Sequence, residues 1–383
     1  PLLTLLVGLA ILSTSMYIPS IPDMARAFSV DVSAVQATLT VFLLAYGASQ
    51  LVHGPLSDRF GRRPVLLAGL AVATLASLAC ALAPTIGYLI AGRIAQAVGA
   101  CAGVVISRAV VRDLFERAAA AEAMSIISAT LAVAPALGPV IGGQLEVWFG
   151  WQANFLLLAL LTALTLYLVW QFLPETNLHR QPAGSGIGGI LLGYRRLLAS
   201  RQFWAYSATI AGMFAGIFGF SAGAPVLLIE RLKISPDIYG MLAALPTFGA
   251  LAGSTVSARL TARLGLDRLV LLGTLTYTAA GLLLLGLAFV GQFNAASLVG
   301  PMVLYQVGLG IALPNSLTGV VNIHPAFAGS AAAFTGFVQM GSSAVSTFVV
   351  LSLPNQQPLP LGLVVAGAAL VGLIPWLLLR QRT

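Results

Sequence analysis

Long apolar stretches alternate with short polar ones along the whole chain. The apolar stretches carry no period-2 alternation that would suggest strands. They are too long for the core helices of a soluble domain. A helix crosses the hydrocarbon core of a bilayer with about 20 mostly apolar residues. Stretches of that size recur at 1–20, 32–55, 63–84, 87–111, 121–145, 151–173, 203–228, 238–260, 267–290, 296–318, 328–351 and 359–379. We expect an all-α polytopic membrane protein with twelve transmembrane helices, numbered here as spans one to twelve. The longest polar interruption follows span six. It holds Pro174, Pro182, Gly184 and Gly186, with polar turn formers at 175–177 and 181. The pattern predicts an N-terminal six-helix bundle over 1–173, a cytoplasmic linker over 174–202 and a C-terminal six-helix bundle over 203–383. Residues 187–200 are expected to form a short helix on the membrane surface, with Arg195 and Arg196 toward the head groups.

Composition sharpens this picture. The chain of 383 residues is 58% hydrophobic and 8% charged, with mean hydropathy +0.96, which excludes a soluble domain of this length. The net charge of +8 does not indicate nucleic acid, because the basic residues are spread between spans. With the N-terminus inside, cytoplasmic segments hold the arginines at 59–63, 108–117, 180–201, 259–268 and 380–382. The outer side holds only Arg26, Arg93, Arg231 and Lys233. That bias predicts both termini in the cytoplasm. Cys80 and Cys101 lie within apolar stretches and are expected as buried small side chains, with no metal-binding spacing. No nucleotide-binding loop or catalytic triad is present, so neither an enzyme nor a cofactor is expected. A membrane sensor is disfavoured because no soluble signalling domain interrupts the spans.

The densest charged cluster is Gly54-Pro-Leu-Ser-Asp-Arg-Phe-Gly-Arg-Arg-Pro-Val-Leu66. Gly54 and Gly61 permit a tight reversal. Asp58 is suited to pairing with an arginine or to a helix N-terminus. A loop that only set topology would need basic charge but not this order of residues. We expect Gly54, Asp58, Arg59, Gly61, Arg62 and Arg63, with Arg112 and Asp113 after span four, to form a latch at the cytoplasmic side. A faint repeat supports two related halves: Val65-Leu66-Leu67 corresponds to Val270-Leu271-Leu272, and Arg63 to Arg268.

Two further stretches carry chemistry. Arg93-Ile-Ala-Gln96-Ala-Val-Gly99 places an arginine in an apolar helix, a costly position that points to function. Ala134-Pro-Ala-Leu-Gly-Pro-Val-Ile-Gly-Gly143 combines small residues with prolines. Gly138 and Gly142 form a face that lets another helix approach. Pro135 and Pro139 favour a kink, and Gly143 extends the small stretch. For a midplane substrate site, the polar and aromatic candidates are Tyr17, Tyr46, Gln50, Arg93, Gln96, Asn315 and Gln339. Tyr305 is a further candidate, and Phe214, Phe218 and Phe220 are weaker ones, read first as lipid-facing or packing residues.

The Gly54–Leu66 loop resembles the signature loop of the major facilitator superfamily. The Arg93 and Pro135–Gly143 stretches resemble those of its twelve-span drug:proton antiporters. Ser15-Met-Tyr17-Ile-Pro19, Val111-Arg-Asp113 and Gly150-Trp-Gln-Ala-Asn-Phe155 resemble the bicyclomycin and chloramphenicol resistance subfamily. The resemblance implies the major facilitator fold. It also implies a monomeric inner-membrane transporter whose partners are a small hydrophobic substrate, protons and the lipid bilayer. The activity implied is export of drugs by proton antiport with alternating access. One position departs from the subfamily, which carries an aspartate immediately before Met-Tyr-x-Pro where this chain has Ser15. Three readings stand open. Ser15 disables coupling. Coupling has moved to Asp23, Glu146 or Glu230, or to His53, Asp58 or Asp113. Or the protein is an uncoupled facilitator. Export of a metabolite, such as an amino acid or nucleoside, fits the same framework.

Overall fold

The computed structural model describes residues 2–115, 117–177, 195–323, 328–353 and 357–380. Among these, eleven helices are long and apolar enough to cross a membrane. A twelfth, Arg117–Phe149, has 33 residues. The spans are Leu2–Phe28, Val32–Phe60, Arg62–Ala81, Ile86–Leu114, Arg117–Phe149, Gln152–Phe172, Arg201–Arg231, Pro236–Leu264, Leu266–Phe289, Ala295–Ile323, Ala328–Ser352 and Pro358–Leu379. This is an all-α polytopic membrane fold. Large apolar side chains stay exposed along it, among them Leu75 at 67%, Leu160 at 65% and Leu378 at 75%. Such a surface is tolerable only when lipid covers it.

Several spans run longer than the hydropathy pattern predicts. Span one continues to Phe28 but is interrupted after Ser15 by a 3₁₀ turn at Ile18–Ser20. Pro19 and Pro22 explain the interruption, since each removes a backbone donor from the α-helical ladder. Span two continues through Pro55 to Phe60. Span five begins before residue 121 and ends after 145. In each case amphipathic residues at the ends extend the helix beyond the purely apolar run. Of the expected surface helix, residues 195–199 are helical and 187–194 lie outside the described residues.

The chain divides into two compact units. The first comprises 1–186 with 236–241, the second 187–235 with 242–383. In the first, span three packs on spans four and six, and span one on four, five and six. In the second, span nine packs on ten and twelve, and span seven on ten, eleven and twelve. The pairing scheme is the same when six is added to each number.

The close crossings repeat as well. A Cβ added at Gly99 would meet the Gly69 carbonyl at 2.5 Å. One at Gly308 would meet the Gly273 carbonyl at 2.6 Å. Only glycine allows these backbones to touch. The turns before spans three and nine each rest on a glycine of positive φ, Gly61 at 103° and Gly265 at 78°. The apolar core of the first unit at its Gly61 end is built from Leu6, Leu66, Leu70, Ile106, Val110 and Val169.

Candidate functional site: a buried arginine and a charged clamp

Arg93 is fully buried in span four. The interruption in span one provides one of its partners. Carbonyls in the last turn of a helix lack intrahelical donors. Helix Leu2–Ser15 therefore offers the Ser13 carbonyl, which accepts a 2.7 Å hydrogen bond from Arg93 Nη1. Gln96, one turn along span four, accepts from the same nitrogen at 2.5 Å. Gln96 Nε2 donates in turn to Ser77 Oγ of span three at 2.7 Å.

Aromatic rings surround the guanidinium. Its carbon lies 4.2 Å from the Phe42 ring centre, 4.3 Å from Tyr17 and 5.9 Å from Phe155. Rings at these distances attract a cation, by about 2 kcal/mol or more when it is desolvated. Tyr17 is held in place by a 3.0 Å hydrogen bond between its hydroxyl and Thr38 Oγ1. Spans one, two, three, four and six thus converge on one cation. Its Nε and Nη2 have no hydrogen-bond partner among the described residues. The arrangement is a buried positive charge with two unused donors in an apolar, aromatic setting. It suits a neutral or anionic acceptor group and repels a cation.

The other candidates occupy different places. Tyr46 is buried and stacks on Phe42 at 6.0 Å, extending the ring row along span two. Gln50 is half-buried one turn further on. Ser15 donates to the Ile11 carbonyl of its own helix at 3.2 Å. A Cβ at Gly138 would collide with Ser15 Oγ, one at Gly142 with the Met16 carbonyl, and one at Gly143 with the Pro236 carbonyl. Pro139 is buried and Pro135 half-buried within the same helix. The small-residue stretch therefore packs on the broken part of span one.

Asn315 and Gln339 lie in the second unit. Asn315 is buried and its amide nitrogen is used by Ser257 Oγ and the Ile311 carbonyl, both at 2.7 Å. Gln339 is half-buried. Phe214 and Phe218 stack on each other at 6.5 Å, and Phe220 is buried. Tyr305 is buried and donates to the Gly212 carbonyl at 2.9 Å.

At the Gly61 end of the first unit the charged residues form a clamp. Arg62 pairs with Asp58 at 2.5 Å and with Asp113 of span four at 2.9 Å, and donates to Ser57 Oγ at 2.7 Å. Gly61, at φ 103° and ψ 154°, turns the chain sharply enough to place Arg62 there. A carboxylate not marked by the motif completes the clamp. Glu175 accepts from the backbone N–H groups of Arg62 at 2.9 Å and Arg63 at 3.3 Å, capping span three. Burial pushes the Glu175 carboxyl up, but the N–H groups of Asn177, Arg62, Arg63 and Thr176 outweigh it and hold the group below its ordinary range.

Arg63 returns the favour across the clamp. Its Nη2 donates at 2.6 Å to the Trp170 carbonyl in the last turn of span six. Asn177 Nδ2 donates to the Asp58 carbonyl at 2.9 Å. Arg59 lies over the Phe60 ring at 5.1 Å, Gly54 has open space around it, and Arg112 is exposed. Sequence reasoning missed Glu175, Trp170, Phe42, Ser77 and the Ser13 carbonyl. Glu175 stands out only as an acidic residue in the turn after span six, which does not reveal its partner.

Comparison with known proteins gives the family and the fold. The Major Facilitator Superfamily model matches residues 3–347. Multidrug resistance protein D of Escherichia coli (strain K12) is 33% identical over 381 residues, covering 100% of this chain and 95% of that protein. A chloramphenicol resistance protein of Pseudomonas aeruginosa is 32% identical, covering 92% and 83%. A bicyclomycin resistance protein homolog of Haemophilus influenzae is 25% identical, covering 96% and 92%. In fold, the chain is similar to a D-xylose-proton symporter, with TM-score 0.76, 16% identity and coverage of 96% and 95%. A POT family transporter in complex with 5-aminolevulinic acid gives 0.79, 14%, 98% and 94%. The chain belongs to the Major Facilitator Superfamily, in the branch of the bicyclomycin and chloramphenicol resistance proteins.

Proposed function

We propose that this protein is a secondary active transporter that exports small hydrophobic molecules, drugs among them, across a bacterial inner membrane. The observation that carries the reading is Arg93, a buried cation with two unused donors amid aromatic rings. A ligand with an oxygen acceptor and an apolar body matches both features. The full-length similarity to a multidrug resistance protein and to a chloramphenicol resistance protein supports it. We take the mechanism to be proton antiport with alternating access, the protein to be a monomer, and both termini to face the cytoplasm. The clamp at Asp58, Arg62, Arg63, Asp113 and Glu175 must loosen for the cytoplasmic end of the first bundle to open. The bundles 1–173 and 203–383, joined by the linker 174–202, are the moving parts.

The test is transport in proteoliposomes with chloramphenicol as a neutral probe and ethidium as a cationic one. The reading expects chloramphenicol movement coupled to opposite proton movement, and weaker ethidium transport that rises in Arg93→Gln. Robust ethidium transport with Arg93 intact overturns the assignment of Arg93 to the substrate site. Transport of neither probe overturns drug export. One observation favours a second reading: Ser15 spends its hydroxyl on its own helix and cannot titrate. An uncoupled facilitator would move chloramphenicol without protons, and Ser15→Asp would then add coupling.

A further inference from the structure

At the other end of the first unit, one carboxylate is buried inside the bundle. Glu146 sits in the last turn of span five, more than nine-tenths buried, and its Oε2 has no hydrogen-bond partner among the described residues. It follows Gly138 and Gly142 at four-residue spacing, so all three share one helix face. Gly138 and Gly142 pack on Ser15 and Met16. Glu146 therefore faces the later part of the same interruption in span one. Ser20 and Asn154 lie there: Ser20 Oγ accepts from Asn154 Nδ2 of span six at 2.9 Å, and a Cβ at Gly142 would meet Asn154 Oδ1 at 3.1 Å. Asn154 Oδ1 is a second buried acceptor without a donor among the described residues.

The cluster is short of one donor. A buried acceptor left unpaired costs about 1–3 kcal/mol, and more when it is charged. A proton on Glu146 Oε2 removes the buried charge and converts one orphaned acceptor into a donor within the same cluster.

We propose that Glu146 binds the coupling proton in this chain, in place of the span-one carboxylate that Ser15 replaces. The proposal rests on the antiport reading above. The proton is delivered by a hydronium ion: one of its O–H bonds breaks as the Oε2–H bond forms, and it leaves as water. Protonated Glu146 holds span five against Ser20 and Asn154. Deprotonated Glu146 is a buried anion that loosens this junction, and the junction is continuous with Tyr17 on the Arg93 cation. Among the described residues, the elements packed near it carry these charged and titratable groups. Span one supplies Arg26, which is exposed and paired with Asp23. The 236–241 segment, whose Pro236 and Asp237 backbone packs on Gly143, carries Asp237 and the buried Tyr239. Span six supplies Asn154, which does not titrate.

Two measurements on the full-length protein test the proposal. Infrared spectroscopy of purified protein should show a protonated carboxyl band at neutral pH that is lost in Glu146→Gln and shifted in Glu146→Asp. Proteoliposomes with an internal pH dye should show chloramphenicol-driven proton movement that Glu146→Gln abolishes. Chloramphenicol counterflow, which needs no net proton transfer, should persist in the variant and lose its dependence on outer pH. A band unchanged in Glu146→Gln, or coupling unchanged in it, overturns the proposal. A band that disappears as expected, in a wild-type protein that moves chloramphenicol without protons, overturns the antiport reading and the coupling role with it, while leaving Glu146 as a proton-binding site.

Discussion

A buried cation in a membrane protein is defined by what answers it. For Arg93 the answers among the described residues are one amide oxygen, one backbone carbonyl and three rings, with no carboxylate as ion-pair or hydrogen-bond partner. This makes Gln96 the most consequential neighbour. Gln96→Ala leaves Arg93 with the Ser13 carbonyl alone and strands Ser77 Oγ as an acceptor. We expect a loss of about 1–3 kcal/mol, read as a lower melting temperature in detergent, with Ser77→Ala costing less. Glu175 gives a pH signature of opposite origin. Its folded-state pKa lies below the ordinary 4.5, so its contribution is complete above that value and disappears as pH falls through the lowered one. The melting temperature of Glu175→Ala should lie below wild type at neutral pH, and the gap should close in acid. A gap that persists at low pH would show that contacts other than the charge are responsible. Arg93 and Gln96 were legible in the sequence because polar residues in an apolar helix stand out. Phe42 and Ser77 were not, since nothing separates them locally from packing residues. Glu175 was hidden for another reason: its role depends on a helix start 113 residues away.

Helices in this protein are positioned by their ends. The clearest case is the turn between spans two and three, where Gly61 adopts φ 103° and ψ 154°. That region is open to glycine and closed to other residues, at a cost of about 1–3 kcal/mol. Gly61→Ala should lower the melting temperature and weaken the Arg62–Asp113 pair. The second effect would show as faster modification of a cysteine placed at Ser57. Gly54→Ala, with open space around it, should do neither, although both glycines belong to the same motif. The pattern of apolar stretches predicted the spans because length and hydropathy are local properties. It placed the ends short, at residues 55 and 145 for spans two and five, because charged and amphipathic residues continue those helices beyond the apolar run. It also missed the interruption in span one, although Pro19 and Pro22 were in plain view. Hydropathy does not register a missing N–H.

For the whole molecule, the sequence predicts which turns face the cytoplasm. Both native cysteines are buried, so a single exposed cysteine reports its own location. Gln292→Cys, in the turn before span ten, should react in intact cells with a thiol reagent that does not cross the membrane. Arg263→Cys, at the end of span eight, should react only after the cells are opened. The reverse result would invert the orientation. The twofold plan of the fold was faintly legible as Val65-Leu66-Leu67 against Val270-Leu271-Leu272. It is plainer in the backbone, where glycine crossings at 69/99 and 273/308 repeat the same contact. Close approach constrains single small residues and leaves their neighbours free to diverge, so a shared fold survives where the sequence signal fades.

The reciprocal capping at Glu175 and Arg63 has a mechanical consequence. Span six ends at Phe172, yet the chain is still anchored at Glu175 and Asn177 to the turn that starts span three. Tension along the segment that follows Asn177 would arrive first at this anchorage rather than at a lipid-facing helix. The tether is tied to the bolt: a pull on the connecting chain draws on the groups that keep Arg62 between Asp58 and Asp113.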